Sequence, residues 1–276
     1  MEHGSKVYHT YDFVGSVWSF FRRCVYSIIS IGPIPNHIAF IMDGNRRYAK
    51  CHGMKPNAGH RMGFLALMSV LQYCYEMGVH YVTVYAFSID NFNRTPEEVQ
   101  HVMDLMQDKI EGLLKEESFV NKYGIRVNFW GNLRLLRESV RLAAEKAMAA
   151  TAENKGAVLS ICIAYTSRDE IVHAIQGACK EKYDQNRSSK DVKEDEISVA
   201  DLESHMYTSG CPDPDIIVRT SGETRLSNFL LWQSSRSYLH VHNALWPEIS
   251  FCHLMWEILQ YQRVQPFLEK QKEKSL

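Results

Sequence analysis

Two arginine-rich segments carry the residue types that could do chemistry in this chain of 276 residues. Asp43-Gly-Asn-Arg-Arg47 and Arg219-Thr-Ser-Gly-Glu-Thr-Arg225-Leu-Ser227 each follow an apolar, strand-like run. Guanidinium groups, and backbone N–H groups at a helix start, bind the oxygens of phosphate groups, while a carboxylate among them suits a divalent cation. The two segments therefore predict two phosphate-bearing ligands and a metal ion.

Polar residues also follow the other strand-like runs, within residues 88–94, 131–132 and 165–168. Ligands of open parallel sheets bind at the carboxyl ends of the strands, so these clusters would meet at one edge. Each cluster also has a plainer interpretation: Asp43 could cap a helix, residues 88–94 could be a simple connection, and His60 could be a structural histidine. Their convergence on one edge favours a binding site.

The elements that would position these clusters follow from periodicity. Strand-like runs are followed by helical patterns along the whole chain, with strands at 37–42, 80–87, 125–130, 157–164 and 215–218 and helices at 60–77, 97–117, 136–152, 167–181 and 250–262. One helix has a clear start, with Thr95 as N-cap, Pro96 at its first position and Glu98 closing a capping box. The alternation predicts an α/β fold, a single domain with a mostly parallel central sheet flanked by helices.

Composition excludes several classes of function. The net charge of -1 leaves no basic field for nucleic acid or an anionic membrane. The 7 cysteines include no C-x-x-C pair, which argues against a disulfide framework or a zinc site and for a reducing compartment. Walker, Rossmann, serine-hydrolase and zinc-protease motifs are absent from the sequence, as is a D-D-x-x-D aspartate pair.

The chain divides into three parts on this view. Residues 1–32 form an N-terminal amphipathic helical segment, in which apolar residues interrupted by Arg22 and Arg23 suggest a helix that lies on a bilayer or covers a cavity. No signal peptide or transmembrane helix is expected there. Residues 33–265 form the main domain, with a mobile insertion at 182–197, and residues 266–276 form a charged tail.

Five stretches together resemble one known family, namely residues 37–50, 59–60, 85–94, 215–233 and 245–248. The chain resembles the cis-prenyltransferases, the undecaprenyl, dehydrodolichyl and rubber-type polyprenyl diphosphate synthases. The resemblance implies that the enzyme condenses isopentenyl diphosphate onto an allylic diphosphate such as farnesyl diphosphate, and so builds a long cis-polyprenyl chain. The missing aspartate pair fits, because that pair belongs to the unrelated trans-prenyltransferases.

The resemblance also implies roles for the residues of the site. Asp43 would hold Mg²⁺ at the diphosphates, and Asn91 would lie near the proton transfer, mainly as a positioning group. Isopentenyl diphosphate would be bound by Arg219, Arg225 and Ser227. The allylic substrate would be bound by Gly44, Asn45, Arg46, Arg47, His60 and Arg94, and the substrate-binding set is completed by Tyr48, Ser88 and Phe92.

Three departures from the family pattern concern the diphosphate contacts, the metal and the subunit composition, and only the last of them implies a second subunit. Pro56, with Lys55 beside it, stands four residues before His60, where many relatives have an arginine on the diphosphate. Tyr238 stands where bacterial members have a second metal-binding glutamate. The second departure leaves metal binding to Asp43 and the oxygens of the substrates.

Self-sufficient members end in an Arg-x-Gly motif, which is absent from residues 269–276 here. The chain then resembles a eukaryotic catalytic subunit whose Nogo-B-receptor-like partner supplies that motif and a membrane anchor, at the cytosolic face of the endoplasmic reticulum or, alternatively, in the cytosol. The alternatives are a non-catalytic scaffold subunit of the same complex and a homomeric short-chain, neryl-type synthase.

Overall fold

The structure is a computed structural model that describes residues 19–115, 118–188 and 196–274. Its centre is a six-stranded sheet in the order β3-β4-β2-β1-β5-β6, in which every neighbouring pair is parallel. The strands are β1 (His37–Ile41), β2 (Tyr81–Ser88), β3 (Arg126–Trp130), β4 (Val158–Tyr165), β5 (Ile216–Arg219) and β6 (Tyr238–Val241). The predicted α/β class and flanking helices are confirmed.

Helices cover the sheet. They are α1 (19–29), α2 (Asn45–Cys51), α3 (Pro56–Glu76), α4 (Pro96–Leu113), α5 (Phe119–Tyr123), α6 (Glu138–Thr151), α7 (Ser167–Ser188), α8 (Val199–Ser204) and α9 (Phe251–Lys274). Thr95 caps α4 as predicted, because its hydroxyl accepts the Glu98 N–H at 3.4 Å. The prediction that Glu98 closes a capping box is wrong, because its carboxylate forms an ion pair with Arg46 at 3.7 Å, which connects α4 to the first turn of α2.

The central strands are buried on both faces, as the unbroken apolar runs predict. All five residues of β1 are buried. Ile38 and Phe40 enter the main core, whereas Ala39 and Ile41 enter a smaller cluster on the opposite face. Strand β1 therefore ends between the two cores, and only Met42 separates its last residue from Asp43.

The structure differs from the sequence prediction in several elements, and the short helices α2, α5 and α8 were not predicted. Strand β6 was not predicted, because its four residues form a short edge strand with an incomplete apolar pattern. Helix α7 continues to residue 188, so the beginning of the predicted insertion at 182–197 is helical, while residues 189–195 lie outside the described residues. Helix α9 continues through the predicted charged tail to Lys274. Of the predicted N-terminal segment, residues 1–18 also lie outside the described part.

Candidate active site

The predicted polar clusters line one cavity at the carboxyl edge of the sheet. The cavity has a volume of about 530 Å³ and lies beyond the ends of β1, β2 and β5. Twelve of the predicted site residues line it: Asp43, Gly44, Asn45, Arg46, Arg47, His60, Ser88, Asn91, Arg94, Arg219, Arg225 and Ser227. The fold thus brings together predicted residues that are as many as 184 positions apart in the chain, from 43 to 227.

Two of the predicted residues do not line the cavity. The Tyr48 ring packs at a tilt against His52, with ring centroids 4.1 Å apart. The Phe92 ring packs edge-on against Phe87, a cavity-lining residue, at 4.9 Å. Phe92 therefore supports the wall of the site from behind, whereas Tyr48 contacts a residue that does not line the cavity.

Asp43 is the centre of the ionic contacts. Its carboxylate accepts a hydrogen bond from Arg219 Nη2 at 2.8 Å, and Arg47 Nη2 lies 3.4 Å from its other oxygen. Burial alone would raise the pKa of Asp43, but the hydrogen bond and charge of Arg219, the charge of Arg47 and the Gly44 N–H hold that pKa below its usual value. Asp43 is therefore a carboxylate at neutral pH, and it links the two predicted phosphate-binding segments.

Two residues that the sequence analysis did not assign fix the backbone at Asp43. The hydroxyl of Thr220 donates to the Asp43 carbonyl at 2.6 Å. The backbone N–H of Trp246 donates to the same carbonyl at 2.9 Å, and its indole N–H donates to the Gly63 carbonyl at 2.8 Å. Trp246 is buried and lines the cavity, so it does more than pack against the sheet.

Gly44 and Gly63 allow close approaches in this loop. Gly44 has φ 113, in the left-handed region that L residues rarely adopt. A Cβ atom at Gly63 would lie 2.0 Å from the Asn45 side-chain oxygen. That oxygen is buried and has no hydrogen-bond partner among the described residues, whereas the Asn45 amide nitrogen donates to the Met42 carbonyl at 3.2 Å. The short helix α2 begins directly after this loop.

Three basic side chains, those of Arg46, His60 and Arg94, crowd one part of the cavity. Burial, and then the charge of Arg46, lower the pKa of Arg94. Burial, and then the charges of Arg94 and Arg46, lower the pKa of His60, so the imidazole is neutral at pH 7. A bound anion would stabilise the charges of Arg46 and Arg94, which lie close enough for the first to lower the pKa of the second.

The turn after β2 presents Asn91. Its side-chain oxygen accepts the Ser88 N–H at 3.0 Å, and the Ser88 hydroxyl accepts the Asp90 N–H at 3.1 Å. These bonds close a capping box at a 3-10 turn over Ile89–Asn93. With its oxygen held, the Asn91 amide N–H₂ group remains the donor available to a ligand.

The loop after β5 places the second group of basic residues. Arg219 is 6% exposed, and its Nη1 donates to the Ser227 hydroxyl at 2.7 Å. Its Nε is buried with no partner among the described residues. The Arg225 side chain is 65% exposed and pairs with Glu223 at 2.5 Å. Arg47 also reaches this loop, where it donates to the Ser221 hydroxyl.

Beyond the polar edge, the cavity wall is apolar. This wall was not located from the sequence, because its residues have the same spacing as an ordinary helix core. It consists of residues from α3, α4 and the sheet: Phe64, Leu67, Met68, Val84, Phe87, Val102, Leu105, Met106, Ile110, Leu113, Phe129, Leu159, Ile161 and Ile163. The cavity therefore suits an amphiphile with an anionic head and a hydrocarbon tail.

The cavity also limits which metal ions could bind. Among the described residues, no group of three or more His, Cys, Asp and Glu side chains is arranged to hold a metal ion by itself. Magnesium differs from zinc in this respect, because proteins bind it through one or two carboxylates together with substrate phosphates. Asp43, ionised and facing the cavity, fits that mode.

Comparison with known proteins agrees with this geometry. The family model of undecaprenyl diphosphate synthases matches residues 41–267. A dehydrodolichyl diphosphate synthase of Solanum lycopersicum is 55% identical, over 99% of this chain and 98% of its own length. A human dehydrodolichyl diphosphate synthase complex subunit is 42% identical, over 94% and 75%. The crystal structure of lavandulyl diphosphate synthase from Lavandula x intermedia in complex with dimethylallyl diphosphate has a TM-score of 0.74 at 28% identity, covering 83% of this chain and 95% of that chain.

The fold and these matches show that the chain belongs to the undecaprenyl diphosphate synthase family of cis-prenyltransferases. It is an enzyme that transfers prenyl groups in the synthesis of long-chain cis-polyprenyl diphosphates of the dolichol or rubber type. The resemblance inferred from the sequence is confirmed, and with it the choice of the enzyme over the scaffold and over the short-chain synthase. Within the described residues, no helix has the length and apolar character needed to cross a membrane.

Proposed function

We propose that the cavity binds two diphosphates side by side, the allylic substrate at the β1–α2 loop and isopentenyl diphosphate at the loop after β5. The observation that carries this proposal is that a basic edge and an apolar wall line the same cavity. An allylic diphosphate needs both, because its head is a polyanion and its tail is a hydrocarbon. Condensation of farnesyl and isopentenyl diphosphates in the presence of Mg²⁺, followed by chain-length analysis, tests the proposal.

The allylic diphosphate is bound by the backbone of Gly44 and Asn45 and by Arg46, Arg47, His60 and Arg94. Burial, and then the charge of Arg46, lower the pKa of Arg94, which supports this assignment, because a diphosphate offsets the crowded charge of these two arginines. Ser88 shapes the adjoining turn and Phe92 supports the wall from behind, while Tyr48 lies outside the cavity lining. The apolar wall receives the prenyl chain.

Isopentenyl diphosphate is bound by Arg219, Arg225 and Ser227. The exposed guanidinium of Arg225 is the most accessible donor, and Arg219 lines the same part of the cavity beside Ser227. The Arg219–Asp43 ion pair places this site against the allylic one. Two substrates held side by side react with a much smaller entropic barrier.

Mg²⁺ is the cofactor in this proposal, with Asp43 as its protein ligand. When bound, the ion stabilises the negative charge that develops on the leaving diphosphate. In the reaction, the allylic C–O bond breaks with its electron pair on the diphosphate, the isopentenyl alkene bonds to the allylic carbon, and a proton is lost. Arg47 and Arg94 stabilise the same charge, and the Asn91 N–H₂ group orients the reacting end, since an amide is a poor base.

The two-site assignment predicts separable mutants. Arg225→Ala is expected to raise KM for isopentenyl diphosphate, and Arg47→Ala to raise KM for the allylic substrate. Each variant loses a charge-assisted contact that contributes about 1.5–3 kcal/mol, or roughly ten- to a hundredfold. Steady-state kinetics with each substrate varied in turn provide the measurement. Arg126→Ala, at the opposite end of the sheet, is the control and should change neither KM. Equal impairment of both substrates in both mutants would show that the mapping is wrong.

The apolar wall predicts that a bulky substitution shortens the product, and that the product length depends on the position of the substitution along α4. Val102 and Leu113 lie about 16 Å apart along α4, at 1.5 Å per residue, with Val102 nearer to Arg94. Val102→Trp should therefore stop chain growth earlier than Leu113→Trp, and both products should be shorter than that of the unmodified enzyme. Chain lengths are read by thin-layer chromatography or mass spectrometry.

Overpacking costs about 1–3 kcal/mol, so the thermal stability of each variant must be measured as well. Glu111→Trp is the matched control, because Glu111 is on the exposed face of the same helix. Unchanged product length in folded Val102→Trp and Leu113→Trp enzymes would contradict this route for the chain.

The enzyme is proposed to work with a second, Nogo-B-receptor-like subunit at the cytosolic face of the endoplasmic reticulum membrane. The name of the human relative, a complex subunit, supports the heteromer. Apolar side chains exposed near α1 support membrane contact: Phe20 is 70% exposed, Ile28 67% and Ile31 86%. The partner's Arg-x-Gly tail would complete the isopentenyl diphosphate site.

A further inference from the structure

The loop after β5 contains a cluster of residues in an uncommon backbone conformation. Ser227, Asn228 and Leu230 have φ values of 49, 60 and 45. Residues other than glycine adopt the left-handed region infrequently, although asparagine does so several times more often than most. The loop therefore depends on its surroundings to keep this shape.

The first turn of α7 supplies those surroundings. The Ser167 N–H donates to the Asn228 carbonyl at 2.8 Å, and the Arg168 N–H donates to the Asn228 side-chain oxygen at 3.1 Å. In return, the Leu231 N–H donates to the Ser167 hydroxyl at 2.8 Å. The first N–H groups of a helix have no carbonyl partner within the helix. Asn228 accepts hydrogen bonds from two such groups at the start of the 22-residue helix α7.

The residue before Asn228 belongs to the substrate site. The Ser227 hydroxyl accepts a hydrogen bond from Arg219, and its carbonyl accepts one from the Tyr85 hydroxyl at 3.4 Å. The residue after it, Phe229, is fully buried and stacks on the Tyr85 ring at 4.7 Å. A shift at Asn228 would be transmitted to Ser227 and Arg219, whereas the allylic side has its own supports at Thr220 and Trp246.

We propose that Asn228 is a positioning residue for isopentenyl diphosphate. It does not line the cavity, but it anchors the loop to α7 and so holds Ser227 and Arg219 in their binding geometry. This inference rests on the proposed assignment of Arg219, Arg225 and Ser227 to that substrate.

Three substitutions at one position test the proposal in the full chain, assembled with whatever partner its activity requires. Asn228→Ala loses both the acceptor and the tolerance of the left-handed backbone, and it should raise KM for isopentenyl diphosphate by about tenfold, because small misplacements in a site have large effects. KM for the allylic substrate should not change. Asn228→Asp keeps the acceptor and the backbone tolerance, so it should restore binding. Asn228→Gly keeps only the backbone tolerance and should give an intermediate KM.

A second cap serves as the control for a purely structural effect. The Ser198 hydroxyl accepts the Asp201 N–H at 3.2 Å at the start of α8, so Ser198→Ala also removes a cap. It should lower the melting temperature without raising KM for isopentenyl diphosphate. If Arg225→Ala raises KM for isopentenyl diphosphate and Asn228→Ala does not, the role of Asn228 is refuted and the proposed isopentenyl site remains. An unchanged KM in both would overturn the proposed isopentenyl site together with the role of Asn228.

Discussion

Replacing Asp43 with asparagine is expected to lower turnover by at least about 10²-fold, or about 2.7 kcal/mol in the activation barrier. The variant keeps the size of the side chain and removes its charge. That charge pairs with Arg219 at 2.8 Å and Arg47 at 3.4 Å, one arginine from each proposed diphosphate site, and is the proposed ligand for Mg²⁺. Because the pKa of Asp43 is held below its usual value, the wild-type group is ionised throughout the neutral range. Turnover over a range of Mg²⁺ concentrations is the measurement.

The control for Asp43→Asn is Glu98→Gln. Glu98 is also a carboxylate beside the cavity's basic residues, and it pairs with Arg46 at 3.7 Å, but its side chain is 44% exposed and surface pairs contribute little. Glu98→Gln should therefore retain most of the activity. Circular dichroism and melting temperature show whether each variant is folded. A folded Asp43→Asn enzyme with near-normal turnover at ordinary Mg²⁺ would refute the role of Asp43.

The parallel sheet and the polar half of the site were predictable from the sequence. The runs before Asp43 and before Thr220 are apolar because β1 and β5 are buried on both faces, so their ends can be located from the residue pattern. Parallel strands then bring those ends to a common edge, whatever their separation in the chain. For this reason Asp43 and Arg219, which form an ion pair, could be assigned to one site.

Other parts of the site depend on packing that the residue pattern does not determine. Leu105 and Met106 face a cavity, whereas Met103 on the same helix is in the core, and all three have ordinary helical spacing. Trp246 looks like a core residue in the sequence, yet it also holds the Asp43 carbonyl from 203 positions away, between 43 and 246. Tyr238, considered as a replacement for a second metal ligand, does not line the cavity and instead contacts His240 at 3.0 Å.

The charges at the proposed isopentenyl diphosphate site point to a contribution from outside the chain. Arg219 pairs with Asp43 at 2.8 Å, and Arg225 pairs with Glu223 at 2.5 Å. Each of these two cations thus already has a carboxylate partner, while the ligand brings several negative charges. The Arg225 side chain is also 65% exposed, so water screens its charge. Further positive charge and exclusion of water are needed to bind the diphosphate firmly.

Purified alone, the chain is therefore expected to be nearly inactive with farnesyl and isopentenyl diphosphates and Mg²⁺, and activity should return with a second subunit that ends in Arg-x-Gly. An arginine from that tail would add charge and close the site, contributing several kcal/mol in a pocket of low dielectric constant, or at least about a hundredfold in turnover. Incorporation of labelled isopentenyl diphosphate, with and without the partner, measures the effect. A partner whose tail arginine is replaced by alanine should still assemble but should not restore synthesis. Long-chain synthesis at full rate by the homomeric protein would refute the heteromer and leave the prenyltransferase assignment intact.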